Sequence, residues 1–231
     1  DQFMASLDVL GRVTASTRNQ ALSALLLLYR EVLHLDAGVF ENSVRMKSLK
    51  PPCDPLSIDE VNRTLSKMQG DHWLVASLLF GTGMHVLECL RLRARDISLA
   101  KNEILVRDVR DEIVKRLGIP PQLRQAMKVQ LQKVLDNHEV DMKSDWQGVY
   151  MPEPLLVEYP NVGKLLSWQY MFAAKRLPHD PCDGKVRRYH LDEREFQRAL
   201  AHAVSEAGID KSIGSHGLGT VMARHATRGQ K

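Results

Sequence analysis

LLFGTGMHVLECLRLRARDISLAKNEILV, residues Leu78–Val106, is the stretch that decides the fold. An apolar segment at 74–80 leads into Gly-Thr-Gly at 81–83, where two glycines allow a tight turn between helices. A second, amphipathic segment follows, and after it come a polar turn and a short apolar strand at 104–106. The pattern predicts two helices joined by a glycine turn and followed by a strand.

The second of these helices is predicted to have two distinct faces. Met84, Leu87 and Leu90 are spaced at helical intervals, which predicts a buried stripe. His85 and Glu88 are three residues apart, so we expect their side chains to share the neighbouring face.

Residues 81–97, GTGMHVLECLRLRARDI, resemble the first catalytic box of the tyrosine recombinases, and within that family the integron integrases. The family pattern here is G-T-G-M-R-x-x-E-x-x-x-L-x-x-x-D-I. His85 therefore stands at the position of the first catalytic arginine, and Glu88 at that of the glutamate. This stretch alone is also compatible with an ordinary helix-turn-helix in a globular core, because a single short motif can match by chance.

Composition limits the class of protein. Of 231 residues 44% are apolar, and no apolar run reaches the ~18 residues needed to span a membrane. The first ten residues lack the basic segment of a secretory signal. The cysteines are too few and too far apart for a disulfide framework or a zinc site, namely Cys53, Cys89 and Cys182. We therefore expect a cytoplasmic protein with no metal, no cofactor and no membrane contact. The net charge of +4 and pI of about 9.0 permit nucleic-acid binding without demanding it.

Residues 1–49 are predicted to form part of a helical bundle. Ser16 or Thr17 is a suitable N-cap for a helix with a wide apolar stripe, made of Ala21, Leu22, Leu25, Leu28, Tyr29, Val32 and Leu33. This segment resembles the closing part of the integrases' N-terminal core-binding domain, whose opening helices are expected to be missing. Thr17 and Arg18, at the helix start, are candidate DNA-phosphate contacts, with an exposed helix start as the alternative.

A basic, proline-rich linker is predicted at 50–56. Ser57 then caps a helix, and Glu60 is placed to complete a capping box. The resemblance implies a catalytic domain over 57–231, with an integron-type insertion at about 144–168.

Residues 106–121, VRDVRDEIVKRLGIPP, align without a gap on the family's strand-turn-strand, which carries G-K-G-x-K-D-R. Arg110 falls at the catalytic lysine, but a guanidinium with a pKa above ~12 is a poor proton donor. Val109 and Asp111 replace the two turn glycines, which predicts a hairpin of altered shape. A solvated charged face that includes Lys115 and Arg116 is the alternative.

Residues 146–170 resemble the insertion that separates integron integrases from other tyrosine recombinases, Y-G-G-V-x-L-P-x-A-L-x-x-K-Y-P-N-A. In that family the insertion grips bases that bulge out of folded single-stranded recombination sites. The resemblance implies that Trp168 and Pro181 stack on or confine such bases. A tryptophan in the core is the alternative.

Residues 179–193, HDPCDGKVRRYHLDE, resemble the family's D-P-x-S-G-x-V-R-R-H-H-x-x-E. Arg187 and Arg188 are expected to contact DNA phosphates, with Tyr189 and His190 beside them. No ligand spacing supports a metal at His190.

The remaining catalytic box is altered. Residues 213–226, IGSHGLGTVMARHA, resemble H-x-L-R-H-S-F-A-T-H: His216 matches, whereas Gly219 stands at the second arginine. The chain ends at Lys231, before the family's later histidine and nucleophilic tyrosine. The transition state of phosphoryl transfer needs these cations. The resemblance therefore implies a recombinase fragment, truncated at both ends, that binds DNA and does not cleave it alone.

The expected fold is α+β: a mainly helical tyrosine-recombinase catalytic domain with a small antiparallel sheet around 102–119, preceded by part of a helical core-binding domain. The expected partner is DNA, as folded single-stranded or double-stranded recombination sites, with a homo-oligomer on DNA left open. Two alternative functions also stay open. One is a recombinase subunit completed by another chain, and the other is an interaction module that interferes with intact integrase.

Overall fold

The computed structural model of the chain describes residues 15–34, 56–108, 110–151, 153–179 and 184–211. The chain divides into two compact units, Asp1–Pro52 and Cys53–Lys231. The predicted linker residues 50–55 lie outside the described residues.

In the first unit, helix α1 spans Ala15–Leu27 and continues into a π-helical turn, Leu28–Val32. The predicted N-cap was wrong, because α1 begins at Ala15 and Thr17 lies within its first turn. Most of the predicted stripe is not buried either: Leu22 is buried, whereas Val32 is 63% exposed. The stripe assumed one helical period throughout, and the wider π-turn changes which side chains share a face.

The second unit begins with helix α2, Ile58–Ser66. The capping box at its start is confirmed. The Ser57 amide donates to Glu60 Oε2 at 2.7 Å, and the Glu60 amide donates to Ser57 Oγ at 3.2 Å. Two of the helix's N-terminal amides are thereby satisfied by local sequence alone.

The glycine turn joins helix α3, Gly70–Thr82, to helix α4, Val86–Leu90. Gly83 has φ +71°, a left-handed conformation that ends α3 and favours glycine. The prediction of a buried Leu87 was wrong, since that side chain is 38% exposed. Met84 precedes α4 instead of lying in it, so helical spacing counted from Met84 does not apply.

The predicted antiparallel sheet is confirmed. It has three strands in the order β1 (Ile97–Ser98), β2 (Glu103–Arg107) and β3 (Ile113–Gly118). Alternation along β2 buries both Ile104, which belongs to the main core, and Val106.

The β2–β3 hairpin forms even though its turn lacks the two family glycines. Asp111 adopts φ +69°, a left-handed conformation that aspartate tolerates better than most residues. The pairing is irregular between Val106 and Arg107. The two strands thus pair across this turn, with one irregularity beside it.

Three further α-helices lie in the described part of the second unit. Helix α5 spans Arg124–Asp141 after a 3-10 turn at Pro121–Leu123, helix α6 spans Glu153–Glu158, and helix α7 spans Glu193–Glu206. Parts of α2, α3, α4, α5, α7 and the sheet share one apolar core. The architecture is α+β, as predicted, with helices predominating. None of the helices in the described ranges is both long and apolar enough to cross a lipid bilayer.

A second, smaller apolar core lies within residues 146–177, centred on Trp146, Met151 and Tyr170. Backbones approach closely here: the Val149 amide donates to the Gly163 carbonyl at 3.0 Å. A Cβ on Gly163 would lie 2.8 Å from the Val149 carbonyl oxygen, so only glycine fits without a shift. This core is continuous with the region that carries Trp168.

Candidate functional site

One cluster of charged groups forms where α4 begins. The His85 amide donates to Glu88 Oε2 at 2.8 Å, so the glutamate caps the start of the helix. Its other oxygen, Oε1, accepts from Lys115 Nζ of β3 at 2.6 Å. His85, the predicted site residue at the start of α4, thus lies beside a glutamate–lysine ion pair.

Glu88 is held in its charged form. Burial alone raises the pKa of Glu88, but the hydrogen bonds from Lys115 and from the His85 amide outweigh it, and the pKa lies below the usual 4.5. A charged Glu88 offsets part of the positive charge of Lys115. This end of the sheet is therefore less electropositive than its count of basic residues suggests.

The sequence did not single out Lys115 as a site residue and named it only in the alternative of a solvated charged face. The strand register explains its position: Lys115 pairs with Val106, and directly paired residues project to the same face of the sheet. Val106 is buried, so Lys115 starts from the inner face and reaches toward α4. The alternation of β2 was readable in the sequence, but the register across an altered turn was not.

Arg110 lies at the tip of the hairpin and is exposed. Its amide donates to Asp108 Oδ1 at 2.9 Å, which closes the turn. Among the described ion pairs, the partner of Glu88 is Lys115 and not Arg110.

Two arginines surround Trp168. The Arg93 guanidinium donates to the Trp168 carbonyl at 2.6 Å, and its carbon lies 4.3 Å from the centroid of the Tyr170 ring. The Arg95 guanidinium carbon lies 3.3 Å from the centroid of the Trp168 ring. The predicted base-stacking residue therefore already has a cation on its ring, and it is half-buried beside the second core.

Arg95 also connects Trp168 to the hairpin. Its Nη2 forms an ion pair with Asp111 Oδ1 at the turn. Behind it, Arg107 Nε pairs with the buried carboxylate of Asp96 at 2.8 Å. A continuous set of charged contacts thus joins the hairpin turn to the tryptophan.

The segment Arg187–His190 is divided between surface and interior. Arg188 donates twice to Asp141, at 2.6 and 2.5 Å, and once to the Ala174 carbonyl at 2.6 Å. Arg187 is half-buried and Tyr189 is exposed. The structure thus engages Arg188 within the protein and leaves Tyr189 at the surface.

His190 is buried against aromatic rings. Its ring centroid lies 4.1 Å from that of Tyr189 and 5.5 Å from that of Tyr170. Its Nδ1 lies 2.8 Å from the Leu191 carbonyl oxygen. Burial lowers the pKa of His190, with the Leu191 carbonyl opposing that shift. Within the described residues, no three histidine, cysteine or carboxylate side chains lie where they could share a metal ion.

The other predicted site residues divide into two groups. Thr17 and Arg18 lie in the first turn of α1. Pro181, His216 and Gly219 lie outside the described residues.

The chain is similar to known proteins in both sequence and fold. Residues 56–230 match the model of the phage integrase family. The chain is also similar to proteins described as integrase/recombinase from Escherichia coli and from Pseudomonas aeruginosa. Each is 35% identical over 207 residues, which cover 90% of this chain and 61% of the relative. The chain therefore spans about 61% of the length of these curated relatives.

Several solved structures share the fold. The Tn1549 transposon integrase in complex with circular intermediate DNA superposes with a TM-score of 0.63 at 15% identity, covering 99% of this chain and 72% of the other. XerH recombinase in a pre-cleavage complex with its difH substrate gives a TM-score of 0.60 at 15% identity, covering 99% and 59%. XerA recombinase gives 0.52 at 20% identity, covering 100% and 68%. The helix-rich architecture with a small antiparallel sheet is thus the one these recombinases have.

Proposed function

Because this chain belongs to the phage integrase family of tyrosine recombinases, we propose that it binds DNA at recombination sites and leaves the bound strand uncleaved. The observation that carries the proposal is the cluster at the start of α4. There Glu88 is ion-paired with Lys115 beside His85, and we propose that His85 stands where the family has its first catalytic arginine.

The loss of cleavage follows from the chemistry of phosphoryl transfer. The reacting phosphate gains charge that fixed cations must stabilise. Removing one such donor costs on the order of 3 kcal/mol, a hundredfold or more in rate. Imidazole cannot form the two parallel hydrogen bonds of a guanidinium, and Gly219 has no side chain at the second arginine position.

DNA binding requires fewer precisely placed side chains than DNA cleavage does. Lys115, Arg110 and Arg187 are basic residues that we propose contact backbone phosphates, together with Thr17 and Arg18 in the first unit. Arg188 is assigned a supporting role, because its pairing with Asp141 fixes the loop on which Arg187 and Tyr189 lie. Such contacts position DNA by charge and do not need the lost arginines.

We further propose that the chain is of the integron type. The motif at 146–170 and its separate apolar core support an insertion at about 144–168 within a catalytic domain over 57–231, preceded by a linker at 50–56 and a partial core-binding domain at 1–49. In this proposal Trp168 stacks on an unpaired base, and Pro181 helps to confine it.

Electrophoretic binding to folded single-stranded hairpins and to linear duplex tests the proposal. Wild type is expected to prefer the hairpin with bulged bases. Trp168→Ala should lose about five- to a hundredfold of that preference, because one stacked base contributes ~1–3 kcal/mol. Trp168→Phe, which keeps an aromatic ring, should retain most of it.

Two results would count against this assignment. Equal binding of hairpin and duplex by wild type would remove the integron-type proposal. An unchanged hairpin preference in Trp168→Ala would remove the stacking role while leaving DNA binding in place.

A further inference from the structure

Arg95 lies between an aromatic ring and an exposed carboxylate. It lies in the 3-10 turn Ala94–Asp96, immediately before β1. Its guanidinium carbon lies 3.3 Å from the centroid of the Trp168 ring, and its side chain is 21% exposed. The stacking contact fixes the plane of the guanidinium, while part of the side chain stays open to solvent.

The present partner of Arg95 is an exposed carboxylate in a strained turn. Asp111 has φ +69°, and its side chain is 47% exposed. Arg107 Nη1 donates to the Asp111 carbonyl at 2.8 Å and so holds the backbone in this conformation. Because the Asp111 carboxylate is open to solvent, another anion can reach the same place.

The pairing of Arg95 with Asp111 is incomplete. Nη2 of Arg95 meets one carboxylate oxygen, whereas Nε is buried and has no acceptor among the described residues. A phosphate that took the place of the Asp111 side chain and opened this edge would accept from Nε and Nη2 together, which is the favoured geometry for arginine. A phosphate therefore matches the Arg95 guanidinium better than the Asp111 carboxylate does.

Two other described ion pairs differ from Arg95–Asp111 in the burial of their carboxylates. Arg107 pairs with Asp96, whose side chain is 4% exposed, and Arg188 pairs with Asp141, whose side chain is 2% exposed. Those carboxylates are enclosed by protein, so an external phosphate cannot replace them without unfolding their surroundings. Of these three pairs, only Arg95–Asp111 has a carboxylate that solvent reaches readily.

We propose that Arg95 is a phosphate-binding residue for DNA, and that Asp111 occupies it as an internal carboxylate until a backbone phosphate displaces it. This inference rests on the proposed DNA-binding function. It adds a specific contact next to Trp168, so that the nucleotide whose base stacks near the tryptophan has its phosphate on Arg95. Displacement also releases the hairpin turn that carries Arg110.

The test measures DNA affinity as a function of salt for full-length variants. Asp111→Asn removes the competing charge and keeps a residue that tolerates the left-handed turn. It should raise affinity about three- to tenfold and steepen the salt dependence by about one phosphate contact. Glu112→Gln is the matched control. It removes the same charge at the next residue, and the Glu112 side chain has no described contact with Arg95.

Combination with Arg95→Gln separates a specific effect from a general one. In that background Asp111→Asn should raise affinity no more than Glu112→Gln does. Circular dichroism of each variant checks that the fold is kept.

The outcomes distinguish this inference from the function it rests on. Suppose that wild type binds DNA but Asp111→Asn raises DNA affinity no more than Glu112→Gln does, or raises it equally in the Arg95→Gln background. Either result would show that Arg95 is not the phosphate site, while the DNA-binding proposal would still stand. If no variant binds DNA, wild type included, both proposals fall together.

Discussion

At the scale of single residues, the proposal depends on the side chain at position 85, which is histidine where the proposed alignment expects arginine. A guanidinium presents several donors in a rigid plane, whereas imidazole presents at most two that point apart. Glu88 accepts from the His85 amide and forms an ion pair with Lys115. Under the proposed alignment, no guanidinium at position 85 is present to hold two phosphate oxygens at once.

His190 gives a residue-scale prediction about pH. Burial lowers the pKa of His190 in the folded chain below the usual 6.5. Between these two values the unfolded chain binds more protons, so the stability that His190 contributes is present above about pH 6.5 and is lost as the pH falls. Thermal melts from about pH 7.5 to about pH 5.5 should therefore show a steeper loss of stability for wild type than for His190→Gln. Parallel curves for the two proteins would refute this role.

At the scale of elements, the insertion depends on the contact between two backbones. Gly163→Ala would place a methyl group 2.8 Å from the Val149 carbonyl, which must move or break its neighbouring hydrogen bond. We expect the free energy of unfolding to fall by about 1–3 kcal/mol.

The matched control for this change is Gly118→Ala in β3, where a Cβ meets nothing within 4 Å. That variant should stay within ~0.5 kcal/mol of wild type. Urea denaturation of both proteins measures the difference. Equal stability of the two variants would mean that the insertion adjusts freely and that the glycine contact is not required.

Elements also show what the sequence could and could not predict. The capping box of Ser57 and Glu60 was predictable, because both partners lie within one helical turn. The exposure of Val32 was not, since a π-turn breaks the period on which the stripe was counted. The pairing of Lys115 with Glu88 joins residues from separate elements, and only the strand register reveals it.

At the scale of the whole molecule, the α+β class and the family were readable from motifs spread along the chain. The roles of individual basic residues were not. Arg187 and Arg188 are adjacent in one motif, yet the structure pairs Arg188 with Asp141 across 47 residues. Position in a motif therefore identifies candidates, while tertiary contacts show that Arg188 also has a partner within the protein.

The central claim is that this chain holds DNA and leaves the strand intact. One incubation of purified chain with labelled hairpin DNA, divided between a native gel and a denaturing gel, tests it most directly. The account predicts a retarded, salt-sensitive band on the native gel and full-length, protein-free DNA on the denaturing gel. Nicked DNA, or DNA that still migrates with protein after denaturation, would contradict it.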